Sequence, residues 1–158
     1  MSFRIIIDTR EQEPYEFSCP TERRKLEVGD YSVDGHTDVI AVERKSLKDF
    51  ISTVIHARKR FAREMEKLKE YPFSCVVVEA NLDDVLRGIV DTGNVESNAV
   101  LGAALWLTTY YRVPVFWCGS RPAARVFVDG FLRMFVRARN EAKDETQASS
   151  EDSESIKG

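Results

Sequence analysis

The segment from Gly29 to Asp49 constrains this chain most, because a strong turn signal joins two runs of strand-forming residues. Asp34-Gly35-His36 lies between Tyr31–Val33 and the apolar run Val39–Val42, and Asp-Gly is a preferred hairpin turn. If the strands pair about a centre between His36 and Thr37, Asp30 falls opposite Glu43. Opposed residues share a face with Cβ atoms ~5 Å apart. Lys45 joins that face and Arg44 points away, because strand side chains alternate. Two carboxylates so placed, with an ammonium beside them, suit a hard divalent cation and an attacking water. By themselves they equally suit a turn residue and an edge-strand ion-pair ladder. The apolar Ile40-Ala41-Val42 before Glu43 favours the first reading, since the acids then emerge from a buried strand.

Composition narrows the class. The 158 residues suffice for one domain with a core, and 31% charged against 43% hydrophobic residues indicates a soluble fold. The longest apolar stretch, Ala99–Leu107, is far short of the ~20 residues of a membrane span. Cys19, Cys75 and Cys118 are odd in number and widely spaced, which indicates reduced, intracellular thiols rather than disulfides or a zinc site. His36 and His56 are too few for a histidine-based metal site. The net charge of −3 is unevenly spread: the last twenty residues hold six of the 26 acids but three of the 23 bases, leaving 20 of each. Between Val42 and Tyr71, nine basic residues against five acidic ones form a local basic ridge beside the hairpin.

The pattern along the chain is that of one α/β domain, residues 1–140, with an acidic, disordered tail over 141–158. Phe3–Asp8 reads as a central strand with Asp8 at its exit, followed by a loop through Thr21 and a further strand candidate at Arg24–Val28. Ser46 caps a short helix to Thr53. Ala57, Phe61, Met65 and Leu68 mark one face of a helix over Ala57–Glu70 that Pro72 stops. Ser74–Val78 is a buried strand ending at Glu79, and a helix around Leu82–Arg87 leads to a loop at Thr92-Gly93-Asn94. Asn98–Tyr111 is apolar nearly all round, so it reads as a buried helix with Trp106 in the core. Val113–Trp117 is another strand, and Ser120 with Pro122 opens a last helix whose stripe Ala124, Phe127, Val128, Phe131 and Phe135 faces the sheet.

The wider pattern resembles the nuclease domain of the XPF-type structure-specific endonucleases, a branch of the PD-(D/E)xK restriction-endonuclease-like superfamily. The resemblance is carried by Gly29-Asp30, the gap to Glu43-Arg44-Lys45, and Asp49 four residues on. Asp8-Thr9-Arg10-Glu11 at the end of the first strand, Arg60 on the following helix and Val113-Pro114-Val115 extend it over residues 4–138. The tandem helix-hairpin-helix module and helicase-like region of some relatives have no counterpart here.

The resemblance implies an α/β restriction-endonuclease-like fold, a central mixed β-sheet flanked by helices, and divalent-metal-dependent cleavage of branched, flap or junction DNA. Asp30 and Glu43 would ligate Mg²⁺ or Mn²⁺, with the main-chain carbonyl of Arg44 a further ligand. Lys45 would orient or help deprotonate the water. Asp8 and Glu11 would extend the acidic cluster toward a second metal, with Asp8 among the metal-site residues and the number of metals left open. Arg10, Arg44 and Asp49 organise the site. Candidate DNA contacts are Arg60, Arg63, Lys67 and Asn98, each with a plainer alternative: an ion pair with Glu64, a solvated helix face, or a helix cap. The implied partners are DNA and either a second copy or a DNA-binding protein. A non-catalytic DNA-binding or assembly subunit and a nucleotide phosphohydrolase are the competing classes.

Overall fold

The structure, a computed structural model, describes residues 3–92 and 95–155. Its elements are β1 (Ile5–Ile7), β2 (Thr21–Arg23), β3 (Tyr31–Val33), β4 (Ile40–Lys45), α1 (Leu47–His56) and α2 (Arg58–Leu68). They continue with β5 (Phe73–Val78), α3 (Leu82–Thr92), α4 (Val95–Trp106), β6 (Val115–Trp117) and α5 (Arg121–Ser155). A π-helical turn over Leu107–Tyr111 follows α4 and closes at Arg112, which takes a left-handed conformation. The six strands form one mixed sheet in the order β2-β1-β3-β4-β5-β6.

The hairpin has the expected register. Tyr31 pairs with Val42, which sets Asp30 against Glu43. The turn closes through His36 N–H donating to the Val33 carbonyl, with Gly35 at positive φ. β1 joins the other edge of β3 antiparallel, with Ile7 opposite Tyr31, so the same count places Asp8 opposite Asp30. β5 lies parallel to β4, and β6 parallel to β5.

Strand alternation sends apolar side chains to both faces, and each face carries its own core. Ala41, Val76 and Val78 pack under α1, α2, α3 and α4 with Phe50, Phe61, Met65, Leu68, Val85 and Val100. Ile5, Ile7, Tyr31, Val42, Cys75 and Val77 pack on the opposite face against Ala124, Val128, Leu132 and Phe135 of α5. Ser46 caps α1 by accepting from Asp49 N–H, and Ser120 Oγ accepts from Ala123 N–H at the start of α5.

Four expectations need correction. The strand after the first loop is Thr21–Arg23, not Arg24–Val28: Arg24 N–H still bonds the Ile7 carbonyl, but the chain then turns so that Leu26 and Val28 reach the core. The α1 helix extends to His56, and Ala57 is the break before α2 rather than its first turn. Trp106 is 55% exposed and stacks on Tyr110, because a helix apolar on every side must leave one side outward when only one sheet face is available to it. The last helix runs on to Ser155 where disorder was expected; Ala, Glu, Lys and Gln favour helix, and Arg137–Glu141 is an i,i+4 pair across the expected boundary. Gly93 and Asn94 of the expected loop lie outside the described residues. Among the described residues no helix is long and apolar enough to cross a membrane.

Candidate active site

Three neighbouring strands each bring an acid to the same sheet face: Asp8 just after β1, Asp30 just before β3 and Glu43 within β4. Gly29 makes this row possible. Its φ is +81°, and a Cβ there would meet the Val42 carbonyl oxygen at 3.1 Å and the Ala41 Cβ at 3.3 Å. The close approach lets Asp30 N–H donate to the Val42 carbonyl at 2.8 Å, while Arg44 N–H donates to Asp30 Oδ2 at 2.7 Å. Asp30 is thus fixed from both ends of the β4 tripeptide Val42-Glu43-Arg44.

Lys45 follows Glu43 on that face and places Nζ 3.0 Å from Glu43 Oε1. With Asp8, Arg10, Glu27, Arg60, Arg63, Glu64 and Lys67, these residues line a cleft of about 420 Å³. An adjoining hollow of about 300 Å³ adds Glu11, Arg44, Asp49, Ser52 and Thr53. The structure therefore brings together every residue of the expected set except Asn98, which is exposed in the first turns of α4 and lines neither hollow. Arg60 Nε lies 3.9 Å from Glu64, both partly exposed, so the i,i+4 pair forms loosely and Arg60 still lines both hollows.

The charge states follow from burial and neighbours. Burial, then the facing Glu43 carboxylate, pushes Asp30 well above the usual carboxylate range, against the Arg44 N–H. Burial also raises Glu43, opposed by Lys45. For Lys45, burial lowers the pKa, but Glu43 and Asp30 outweigh it and hold the ammonium above its ordinary value. Two carboxylates strained upward beside one ammonium are a site short of positive charge.

Asp8 is hydrogen-bonded through both carboxylate oxygens. Its Oδ2 accepts from Arg10 Nε at 2.7 Å and Arg10 N at 3.1 Å, and its Oδ1 accepts from Leu26 N–H at 2.8 Å. Burial raises Asp8, but the Arg10 side chain and these N–H groups outweigh it and lower its pKa. Both Asp8 oxygens thus hold Arg10 and the loop that follows it. Glu11 is buried; Oε1 accepts from Glu13 N–H and sits 3.6 Å from Arg44 Nη1. Asp49, exposed at the start of α1, lines the rim. Among the described residues no three His, Cys, Asp or Glu side chains converge on one point as metal ligands.

On the reverse face Arg44 Nη2 bonds Glu79 Oε1 at 2.8 Å, and Tyr15 OH donates to Glu79 Oε2 at 2.8 Å. The sequence marked Glu79 only as a strand end. Its one available signal was that a carboxylate closing a run of buried valines must find a partner.

The ERCC4 domain family model matches residues 7–128. The chain is 36% identical over 94 residues to the 3'-flap repair endonuclease Xpf of Saccharolobus solfataricus, covering 59% of this chain and 36% of that protein. It is 27% identical over 117 residues to a putative ATP-dependent RNA helicase of Methanocaldococcus jannaschii, covering 72% of this chain and 13% of that one. The chain thus spans a minor part of both curated relatives. Among solved structures it resembles XPF from Aeropyrum pernix in complex with DNA, with TM-score 0.66 and 21% identity over 85% of this chain and 66% of that one. The same protein without DNA gives 0.67 and 18% over 89% and 69%. The fold is that of the XPF structures, and the chain belongs to the ERCC4 domain family.

Proposed function

We propose that this chain is the nuclease module of a structure-specific DNA endonuclease, hydrolysing phosphodiester bonds in branched, flap or junction DNA with the help of Mg²⁺ or Mn²⁺. The observation that carries the reading is the pair Asp30–Glu43, opposed across the hairpin with Lys45 beside it, under a rim of Arg60, Arg63 and Lys67. One relative is titled a 3'-flap repair endonuclease and one related structure holds DNA, which fits this reading.

The donor set suits a hard cation: two carboxylates raised by burial, Asp30 also by Glu43, and no soft ligand among the described residues that line the cleft. Asp30 and Glu43 would hold the ion with the Arg44 carbonyl, and Glu11 lies within the same hollow. Two or three protein ligands suffice because magnesium keeps several of its waters. A bound ion would polarise the phosphate and ease deprotonation of a water. The protein's own part is to aim and to neutralise. Lys45, held protonated by Glu43, offsets charge as the water oxygen bonds to phosphorus and the P–O bond to the leaving sugar breaks. Asp8 holds Arg10 at the cleft wall, and the α2 cations would take neighbouring backbone phosphates.

Residues 1–140 would form the nuclease module, with 141–158 an acidic extension. Exposed Trp106 lines an apolar groove of about 580 Å³ and stacks on exposed Tyr110, which supports pairing with a second copy. Light scattering should therefore show a dimer that Trp106→Glu dissociates; a wild-type monomer active alone would remove that part of the reading.

The deciding assay is cleavage of end-labelled duplex, flap, fork and four-way-junction DNA with Mg²⁺, Mn²⁺ or EDTA. Cutting should need the metal and vanish in folded Asp30→Ala and Glu43→Ala variants. Full activity in either variant, or in EDTA, overturns the proposal. Binding without cutting on every substrate would favour a non-catalytic assembly subunit.

A further inference from the structure

Glu79 is the point where three separated parts of the chain meet. Its N–H donates to the Lys45 carbonyl at 2.9 Å, one step beyond the β4–β5 ladder. Its carboxylate takes Arg44 Nη2 at 2.8 Å on Oε1, and Tyr15 OH at 2.8 Å on Oε2, with Arg121 Nη1 at 3.7 Å. Arg121 also donates to the Glu13 and Pro14 carbonyls, and its guanidinium lies over the Tyr15 ring. Glu79 therefore holds Lys45 through its N–H and, through its carboxylate, Arg44, the loop that carries Arg10 and Glu11, and the first residue of α5.

The cluster has a competition built into it. Arg44 is a buried cation with two buried acids in reach, Glu79 at 2.8 Å and Glu11 at 3.6 Å. Their side chains are 9%, 7% and 7% exposed, so loss of a partner is not made good by water. Arg44 Nε and Arg121 Nη1 already lack hydrogen-bond partners, so donors outnumber acceptors around this carboxylate. Without the Glu79 charge, Arg44 would close on Glu11. That shift moves the residue whose N–H aims Asp30 and occupies the Glu11 carboxylate facing the cleft.

We propose that Glu79, supported by Tyr15, is a positioning residue of the cation site: by capturing Arg44 on the far face of the sheet it keeps Glu11 open and Asp30 aimed. The inference rests on the metal reading above. Glu79 touches neither the cleft nor its contents, and acts through Arg44.

The test is Mn²⁺ titration of the full chain at neutral pH, followed by electron paramagnetic resonance, with thermal melting recorded in parallel. Glu79→Gln should bind Mn²⁺ roughly 10- to 100-fold more weakly, as loss of an outer-shell partner commonly does. Glu79→Asp should recover part of the loss. Tyr15→Phe, which removes one hydroxyl and little else, should weaken binding several-fold with a near-native melt, and it decides the matter if Glu79→Gln fails to fold. Wild-type Mn²⁺ affinity in folded Glu79→Gln, or in Tyr15→Phe where that variant alone folds, overturns the proposal. A wild-type chain that binds no Mn²⁺ overturns the metal reading and this inference together.

Discussion

Lys45 Nζ lies 3.0 Å from Glu43 Oε1, and the two side chains leave β4 on the same face two residues apart. Burial lowers the Lys45 pKa, but Glu43 and Asp30 outweigh it and raise it above its ordinary value, which favours the ammonium. Lys45→Met removes that charge with little change in volume. Single-turnover cleavage should slow by roughly 10²–10³-fold, the usual cost of deleting one group that stabilises developing charge. DNA affinity should change far less, because the rim cations remain. An equal loss in affinity and rate would assign Lys45 to binding instead.

Asp30 makes the metal-free protein sensitive to pH in an unusual direction. Its folded pKa is raised, first by burial and then by Glu43, with Glu11 adding and the Arg44 N–H and Lys45 opposing. A raised carboxylate contributes full stability below its unfolded value, 3.8, and loses it as pH rises through the folded pKa. Asp30→Asn cannot ionise and can still accept from Arg44 N–H. In EDTA, its melting temperature should exceed that of the wild type increasingly as pH rises, with the advantage vanishing near pH 3.8. Added Mg²⁺ should stabilise only the wild type and narrow the gap. A gap constant with pH would show that Asp30 is not raised.

Much of this site was legible because it is local in sequence. The Asp34-Gly35 turn and a second turn, in which Val39 and Ile40 N–H bond the His36 carbonyl, together give the register that sets Asp30 against Glu43 and sends Arg44 out by the other face. Ser46 and Ser120 declare their helices for the same reason. What escaped was non-local. The Glu79–Arg44 bond spans 35 residues and the Tyr15–Glu79 bond 64, and neither leaves a periodic trace. The partners of Asp8 escaped for the same reason, since position at a strand end does not reveal which N–H groups its oxygens accept from. Trp106 was misplaced because an all-round apolar helix has no pattern from which to choose its outward side.

Gly29→Ala tests the backbone beneath the acids. The left-handed conformation costs a non-glycine residue about 1–2 kcal/mol. The added Cβ would also press the Val42 carbonyl at 3.1 Å, the oxygen that receives Asp30 N–H. Melting should fall by roughly 2–8 °C, since 1 kcal/mol shifts a chain of this size by about 2–4 °C. Cleavage should drop much more than folding, because the strain falls on the bond that aims Asp30. A variant with wild-type cleavage would show that Asp30 is aimed by Arg44 alone.

The α2 ridge predicts a salt signature. Arg60, Arg63 and Lys67 line the cleft from one helix, are exposed, and sit beside acids that would repel DNA unless a cation is present. Each lysine or arginine that neutralises a phosphate releases about one counterion, so its removal lowers the slope of log K against log salt by about 1. Changing Arg63 and Lys67 together to Ala should weaken binding to all DNA shapes alike and reduce the slope by about 2. Arg60 stands apart, because Glu64 holds it loosely at 3.9 Å and it also lines the inner hollow. Arg60→Ala should therefore lower the slope by less than 1 while slowing cleavage. A full unit lost with no change in rate would place Arg60 with the outer ridge.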